Sequence, residues 1–182
     1  YTSNNYKTDI DNTDLLTWLP VDSLTNVFDY NQDVTAAYIS TNINLKDDFG
    51  ILLGTRYEHT DISGDYKTDY NSFINSYSNI VPNITLSKKL NMFQTLKLSY
   101  TNRIQRPDVH RINTNVEITD LNNISQGNPN LKPSKSHQLE LGYTSFKPGL
   151  MTSMFIYYKA KYDVVEAFTS VIEDNIFQTN YL

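Results

Sequence analysis

Polar and apolar side chains alternate with a period of two along the chain from about residue 33 onwards. This period places successive side chains on opposite faces of an extended strand, whereas the apolar positions of a helix recur every three to four residues. Each alternating segment is about as long as the roughly 9–11 residues with which a tilted strand crosses a membrane. We therefore predict six long strands, Val34–Leu45, Gly50–Thr60, Ile80–Lys88, Gln94–Arg106, Ser136–Phe146 and Leu150–Tyr162.

Two shorter segments complete the predicted strands. Val164–Phe168 is expected to extend the sixth strand beyond a kink, and Asn175–Leu182 to begin a seventh. Residues 1–27 are predicted to be a loop and lead-in, and residues 28–182 to form the strands of one partial β-barrel domain.

One face of the predicted strands is apolar and the other carries charged residues. In the strand Gln94–Arg106, for example, Leu96 and Leu98 alternate with Lys97 and Ser99. A water-filled or plugged barrel lumen accommodates such a polar face, while an aliphatic and Tyr-rich face meets lipid. The charged residues that we expect to face the lumen are Arg56, Glu58, Lys97, Arg103 and Glu140.

The connections between the predicted strands alternate between short and long. Short turns are predicted at Lys46–Phe49, Lys89–Phe93 and Lys147–Gly149, and longer loops at Asp61–Asn79, at Pro107–Lys135 and around Ser170–Asp174. Structureless loops longer than about 12–15 residues are uncommon in soluble domains. Outer-membrane β-barrels combine short periplasmic turns with long extracellular loops, so we predict an all-β fold, an antiparallel transmembrane barrel segment of about six to eight long strands.

A soluble fold fits the same alternation strand by strand. Two antiparallel sheets packed on their apolar faces would bury the same residues in a sandwich. That alternative corresponds to a soluble adhesin or glycan-binding domain, and it is distinguished by whether the protein fractionates with the outer membrane.

Composition and charge exclude several other classes. The longest unbroken apolar run, Met154–Tyr158, is far shorter than the roughly 20 residues of a transmembrane helix. The chain has 15 basic and 20 acidic residues, and the basic ones are scattered, which argues against nucleic acid as a partner. Cysteine is absent, and His59, His110 and His137 lie on different segments. We therefore predict no catalytic residue, no metal site and no cofactor.

The segment Gly127–Pro133 has the composition of a rigid turn. Its prolines fix φ and withhold backbone donors, while the Gly-Asn pair at its start tolerates left-handed conformations. We predict that it leads a long loop back into a strand and sets its register, in preference to contacting a ligand. The motif residues are Gly127, Asn128, Pro129, Leu131, Lys132 and Pro133.

Four segments resemble the late barrel region of TonB-dependent outer-membrane receptors, in the branch of outer-membrane β-barrel family proteins. The main two are Ser99–Pro107, with the sequence SYTNRIQRP, and Asn123–Tyr143, with the sequence NISQGNPNLKPSKSHQLELGY. Within the second, Ser134 stands where the family usually has Glu. Upstream, Phe28–Ser40 and Leu52–Thr60 resemble the preceding hairpin. The pieces occur in the order of the family and span most of the chain.

This resemblance implies part of a larger barrel of about 22 strands in the outer membrane of a Gram-negative cell. It places the plug and N-terminal domains outside this chain, which we interpret as a fragment because so few strands cannot close such a barrel. The implied partners are outer-membrane lipid and, through the plug, the TonB energy-coupling system. The implied role is import of a nutrient that binds the long loops Asp61–Asn79 and Pro107–Asn130. Pairing of Arg103 and Arg106 with Glu140, or with the plug, is a simpler interpretation than contact with substrate.

A non-transporting role is the alternative within the same architecture. The barrel would then be a structural or docking subunit, and its partner a surface lipoprotein or another member of an envelope complex. Energy-dependent uptake of a labelled nutrient distinguishes transport from docking.

Overall fold

A computed structural model describes residues 2–10, 26–67, 72–114, 116–120, 122–173 and 175–182. In chain order the elements are β1 (Thr2–Ile10), β2 (Asn26–Asn44), β3 (Phe49–Tyr66), β4 (Ser72–Asn91), β5 (Gln94–Gln105), α1 (Val109–Ile112), β6 (Val116–Asp120), β7 (Asn123–Gln126), β8 (Ser134–Lys147), β9 (Leu150–Tyr162), β10 (Ala167–Glu173) and β11 (Ile176–Tyr181). None of the helical residues described is part of a helix long and apolar enough to cross a membrane.

Seven strands form one antiparallel sheet in the order β1-β2-β3-β4-β5-β8-β9. A second sheet has the order β10-β11-β7-β6, and its β11–β7 pair is parallel. The predicted antiparallel all-β fold is confirmed. We call the end of the main sheet that carries the turns after β2, β4 and β8 the short-turn end, and the opposite end the long-loop end.

The predicted loop Asp61–Asn79 is wrong, because β3 continues to Tyr66 and β4 begins at Ser72. The two strands stay in register through this region, where Thr60 pairs with Tyr77. The period of two continues here, but in β3 the faces exchange character: the outward residues Asp61, Ser63 and Asp65 are polar, whereas Ile62 and Tyr66 face inward and are buried. The strands therefore run beyond the point at which their outward face stops being apolar.

Both ends of the chain also differ from the prediction. Residues 1–27 were expected to be a lead-in, yet Thr2–Ile10 forms β1 and pairs antiparallel with β2; residues 11–25 lie outside the described part. Val164–Phe168 does not extend β9, because the chain leaves the main sheet after Tyr162 and enters β10 of the second sheet. The predicted seventh strand is present as β11, in the second sheet instead of the main one.

An apolar belt crosses the outer face of the main sheet. It consists of directly paired residues on six adjacent strands, Ile43, Ile51, Leu86, Leu98, Leu141 and Ile156. Towards the long-loop end the belt is bordered by tyrosines on the same face, Tyr57, Tyr100 and Tyr158. The hydroxyl of Tyr57 lies 2.9 Å from Ser78 Oγ, and that of Tyr100 lies 2.7 Å from His137 Nδ1. From the short turns to these tyrosines, β3 and β9 each span nine residues and β5 spans seven, near or slightly below the roughly 9–11 of a membrane strand.

The apolar core lies on the inner face, at the long-loop end. Phe28 stacks on Tyr66 with 4.7 Å between ring centroids, and Tyr30, Ile62 and Ile112 complete the buried cluster. Ile112 is only 1% exposed and belongs to α1, in the segment that follows β5. We call residues 106–133 the crossing segment; its helix α1 is therefore packed onto the inner face of β2 and β3.

Candidate functional site

A cleft of about 830 Å³ lies at the long-loop end, between the inner face of β2 and the start of the crossing segment. Its floor includes Tyr30 and Gln32, and its wall is formed by residues 106–111. The far side is formed by the ends of β5, β8 and β9 and by the residues that follow β9. The polar groups that line it are Gln32, Gln105, Arg106, Asp108, His110, Arg111, Ser134 and Lys161.

An ion-pair cluster fixes the beginning of the crossing segment. Glu58 has a side chain that is only 6% exposed, and it pairs with Arg106 through Oε2 and with Arg56 through Oε1, the latter at 2.5 Å. Arg106 also donates from Nε to Thr60 Oγ1 at 3.4 Å. Loss of one member of a buried ion pair leaves an uncompensated charge, so this cluster ties the wall of the cleft to β3.

Next along the chain, the hydroxyl of Tyr66 holds the end of α1. It donates to Asn113 Oδ1 at 2.8 Å and accepts from Thr114 N at 2.7 Å and Thr114 Oγ1 at 2.8 Å. The helix starts with Asp108, whose carboxylate accepts from His110 N at 3.1 Å. With Ile112 in the core, the segment is fixed by both polar and apolar contacts.

The motif Gly127–Pro133 packs against this same part of the chain. Gly127 N donates to Asn113 O at 2.8 Å, and Asn128 N donates to Arg111 O at 2.7 Å. A Cβ on Gly127 would lie 2.8 Å from both Arg111 O and Asn113 N, closer than real Cβ atoms approach the backbone. Glycine is required here by close approach, since no other residue leaves the space.

The rest of the motif is anchored by two hydrogen bonds and by burial. Asn128 Nδ2 donates to Tyr181 O at 3.2 Å, which links the motif to β11. Pro129 O accepts from Asn75 Nδ2 at 2.9 Å, which links it to β4. Leu131 and Pro133 are buried, whereas Lys132 is exposed. These contacts support a structural role for the motif.

Among the described residues outside the belt, Tyr77 and Lys67 have shifted pKa values. Burial raises the pKa of Tyr77 on the inner face of β4, and the nearby positive charge of Arg106 opposes this shift. At the end of β3, the hydrogen bond and charge of Asp29 raise the pKa of Lys67, whose Nζ lies 2.9 Å from Asp29 Oδ2.

The five charged residues predicted for the lumen lie at different levels of the inner face. Arg56 and Glu58 are in direct contact, and Arg103 shares a smaller cavity with Arg56. Lys97 and Glu140 lie nearer the short-turn end, opposite Gly142 and Ser99 respectively. Glu140 accepts from Gln138 Nε2 at 3.2 Å.

The expected pairing of Arg106 with Glu140 is wrong, because Arg106 pairs with Glu58. Arg106 is followed by Pro107, which cannot donate to a ladder, so the chain leaves β5 there and turns across the inner face. Sequence analysis also missed the inner-face cluster around Phe28 and Tyr66. Its signal was the alternation of large aromatic and aliphatic residues at even positions of β2 and β3.

Within the described ranges, no group of three or more His, Asp or Glu side chains is arranged to hold a metal ion. The lining of the cleft instead offers guanidinium, ammonium, imidazole, carboxylate, amide and hydroxyl groups, which recognise a ligand by hydrogen bonds and charge.

The main sheet resembles parts of two large solved structures. One is the siderophore receptor PirA from Pseudomonas aeruginosa, with a TM-score of 0.55 and 13% identity over 98% of this chain and 43% of that chain. The other is the copper transporter OprC, with a TM-score of 0.58 and 14% identity over 98% of this chain and 29% of that chain. At these identities the likeness shows a shared fold alone, and the chain spans less than half of either protein.

Comparison with curated proteins gave no match. The model of the outer membrane protein beta-barrel family matches residues 1–182, the whole sequence. The apolar belt on the outer face, the short turns and the two solved structures agree with this match. The chain therefore belongs to the outer membrane protein β-barrel family and is a protein of the outer membrane.

Proposed function

We propose that this chain is part of a TonB-dependent receptor that binds a nutrient at the extracellular mouth of its barrel and admits it to the lumen. The observation that carries the proposal is the cleft of about 830 Å³ on the inner face at the long-loop end. Its volume lies within the range of about 300–1,000 Å³ that is usual for ligand sites. Its position, between the barrel wall and the crossing segment, is where a ligand would enter the lumen.

The fixed wall of the cleft supports binding. The crossing segment is held by Glu58, Tyr66 and the buried side chain of Ile112. A preformed site avoids the free-energy cost of ordering a loop when the ligand binds. The crossing segment thus acts as a rigid side of the site, and the ligand contacts only the groups that it leaves exposed.

The comparison proteins suggest the first ligands to test. One is named as a siderophore receptor and the other as a copper transporter, so a ferric siderophore and Cu²⁺ are suitable probes. In this proposal the plug and the energy-coupling system contact the barrel from outside this chain. The role consists of binding and passage and includes no covalent step.

Uptake in living cells tests the proposal. Cells that produce the intact protein should accumulate one of the labelled probes, and uptake should stop when the inner-membrane energy coupling is inactivated. For an anionic ferric siderophore, Lys161→Glu reverses a charge on the lining of the cleft and should reduce uptake at low ligand concentration. Lys159→Glu is the matched control, because Lys159 lies two residues away on the same face of β9 and does not line the cleft.

Two results would contradict the proposal. One is uptake that persists without energy coupling, and the other is equal behaviour of Lys161→Glu and Lys159→Glu. Stable co-purification with a surface lipoprotein or another envelope protein, with no energy-dependent uptake of any probe, would favour the docking role instead.

A further inference from the structure

The second sheet begins with β10, which has a strand neighbour on one side only. β10 pairs antiparallel with β11, and no other described strand pairs with it. Just before β10, Glu166 and Leu182 exchange both backbone hydrogen bonds, at 3.1 and 3.0 Å. Such pairs recur at every second residue of an antiparallel ladder, and the residues between them point their backbone groups away from the partner strand. In β10 these residues are Ala167, Thr169 and Val171.

We call the side of β10 that faces away from β11 the free edge. Val165 belongs to the same set of residues, and its carbonyl oxygen accepts from Arg111 Nη1 at 3.4 Å. At the three positions that follow in this set, the backbone groups on the free edge have no hydrogen-bond partner in the described ranges. A row of such N–H and C=O groups is a template for pairing with another chain.

The sequence of β10 does not protect this edge. Proteins usually block an exposed strand edge with a lysine, a proline or a bulge. Residues 167–171 contain no charge and no proline, and the irregularity in the ladder comes only after Val171. The apolar side chains here are exposed, Phe168 to 58% and Val171 to 64%. An additional strand would therefore bury apolar surface as well as pair the backbone.

The charge around the free edge indicates the kind of chain that pairs there. Residues 163–182 contain four acidic and no basic side chains, and residues 112–131, which include β6 and β7, contain two acidic and no basic ones. A second copy of β10 would bring the same negative charge, so repulsion disfavours pairing between copies. A strand with basic side chains would meet charge of the opposite sign.

We propose that the free edge of β10 is a docking site for an extended, basic segment of a partner polypeptide. Backbone hydrogen bonds to Ala167, Thr169 and Val171 set the register of the segment. Its apolar side chains cover Phe168 and Val171, and its basic ones balance the acidic residues of the second sheet. None of these four edge residues lines the cleft of about 830 Å³, so the inference is independent of the proposed import.

Binding of a synthetic peptide to the purified intact protein in detergent tests this site. The probe is fluorescently labelled Lys-Val-Lys-Val-Lys-Val-Lys with blocked termini, and its binding is measured by fluorescence anisotropy. The analogue with Glu in place of every Lys should bind about tenfold or more weakly, because its charge is repelled. Of two analogues methylated on the backbone nitrogens of either the valines or the lysines, only one should lose affinity, because only one set of N–H groups faces β10.

Thr169→Pro tests the same edge from the side of the protein. It removes an N–H that points to the free edge and leaves the hydrogen bonds to β11 in place, as proline at a strand edge does. The probe should bind this variant about fivefold or more weakly, as expected for a lost hydrogen bond. Thr169→Val is the matched control, because it keeps the N–H and removes only the hydroxyl that lies 3.0 Å from Thr179 Oγ1. Its affinity should stay within about twofold of the wild type.

Absence of probe binding, equal affinity for the Lys and Glu peptides, equal affinities of the two methylated analogues, or equal affinities of Thr169→Pro and Thr169→Val would each overturn the proposal. Self-association of the intact protein that Thr169→Pro abolishes would assign the edge to a second copy and would also overturn it. Because the probe is not a nutrient and binding is measured on purified protein, any of these results leaves the uptake proposal standing.

Discussion

Arginine at position 98 is expected to destabilise the protein in the membrane by about 2–4 kcal/mol, the cost of that side chain near the bilayer midplane of a β-barrel. Leu98 lies on the outer face, between Leu86 and Leu141 of the neighbouring strands. It is four residues from Gln94, where β5 begins. At about 3.3 Å per residue and a tilt of about 40°, it lies about 10 Å above the short turn, near the middle of an apolar band about 25 Å tall.

Ser99→Arg is the matched control for Leu98→Arg. Ser99 lies on the inner face and pairs with Glu140, so the same new side chain meets water and a carboxylate. Its effect should stay within about 0.5 kcal/mol, as usual for a substitution at a solvated surface. The assay is urea unfolding of the intact protein refolded into lipid vesicles, with the folded fraction measured by tryptophan fluorescence and by gel mobility without heating.

The costs of Leu98→Arg and Ser99→Arg together show which face of β5 meets lipid. Equal costs for Leu98→Arg and Ser99→Arg, or a cost below about 0.5 kcal/mol for Leu98→Arg, would refute the lipid-facing assignment of the belt. A larger cost for Ser99→Arg than for Leu98→Arg would show that the two faces are reversed.

Three further predictions concern the long-loop end. Gly127→Ala should cost about 1–3 kcal/mol, as overpacking does, and should speed hydrogen exchange in the crossing segment, because its Cβ would lie 2.8 Å from backbone atoms. On intact cells, a membrane-impermeant thiol reagent should label Ser72→Cys, whereas Met92→Cys, in the turn after β4 and 91% exposed, should react only after permeabilisation; the reverse would invert the topology. Finally, burial raises the pKa of Tyr77 above its usual value of 10.0, so the folded form binds its proton more tightly. Stability should therefore fall as the pH rises above about 10, and Tyr77→Phe should reduce that loss; an identical alkaline profile would contradict this reasoning.

The part of the fold inside the membrane could be predicted from the sequence, because all its strands follow one rule: apolar residues face outward and alternate with polar residues that face inward. Leu150–Tyr162 was predicted with the bounds that β9 has, and Gln94–Arg106 with an end one residue beyond that of β5. Lipid on one side and polar contacts on the other keep the period of two unambiguous there.

Outside the membrane the rule that apolar residues face outward does not hold. Ile62 and Tyr66 face inward, against the crossing segment, and their neighbours on the outer face are polar. Which face is buried there depends on residues 106–133, far away in sequence, and no local pattern shows where that segment packs. The pairing of Arg106 with Glu58 was missed for the same reason, since it needs the turn at Pro107.

The exchange of faces along β3 and β4 makes their pairing unusually sensitive to errors. A slip of one residue between these strands would move Leu86 from lipid into the lumen and, at the other end, move Tyr77 from the core to bulk water. A slip of two residues would keep each side chain on its face but displace the boundary near Tyr57 by about 7 Å along the strand. The position of this boundary in β3 and β4 is thus matched to the thickness of the membrane as well as to the register of the two strands. In a bilayer that is too thin or too thick, the correctly paired β3–β4 hairpin would be less stable during insertion.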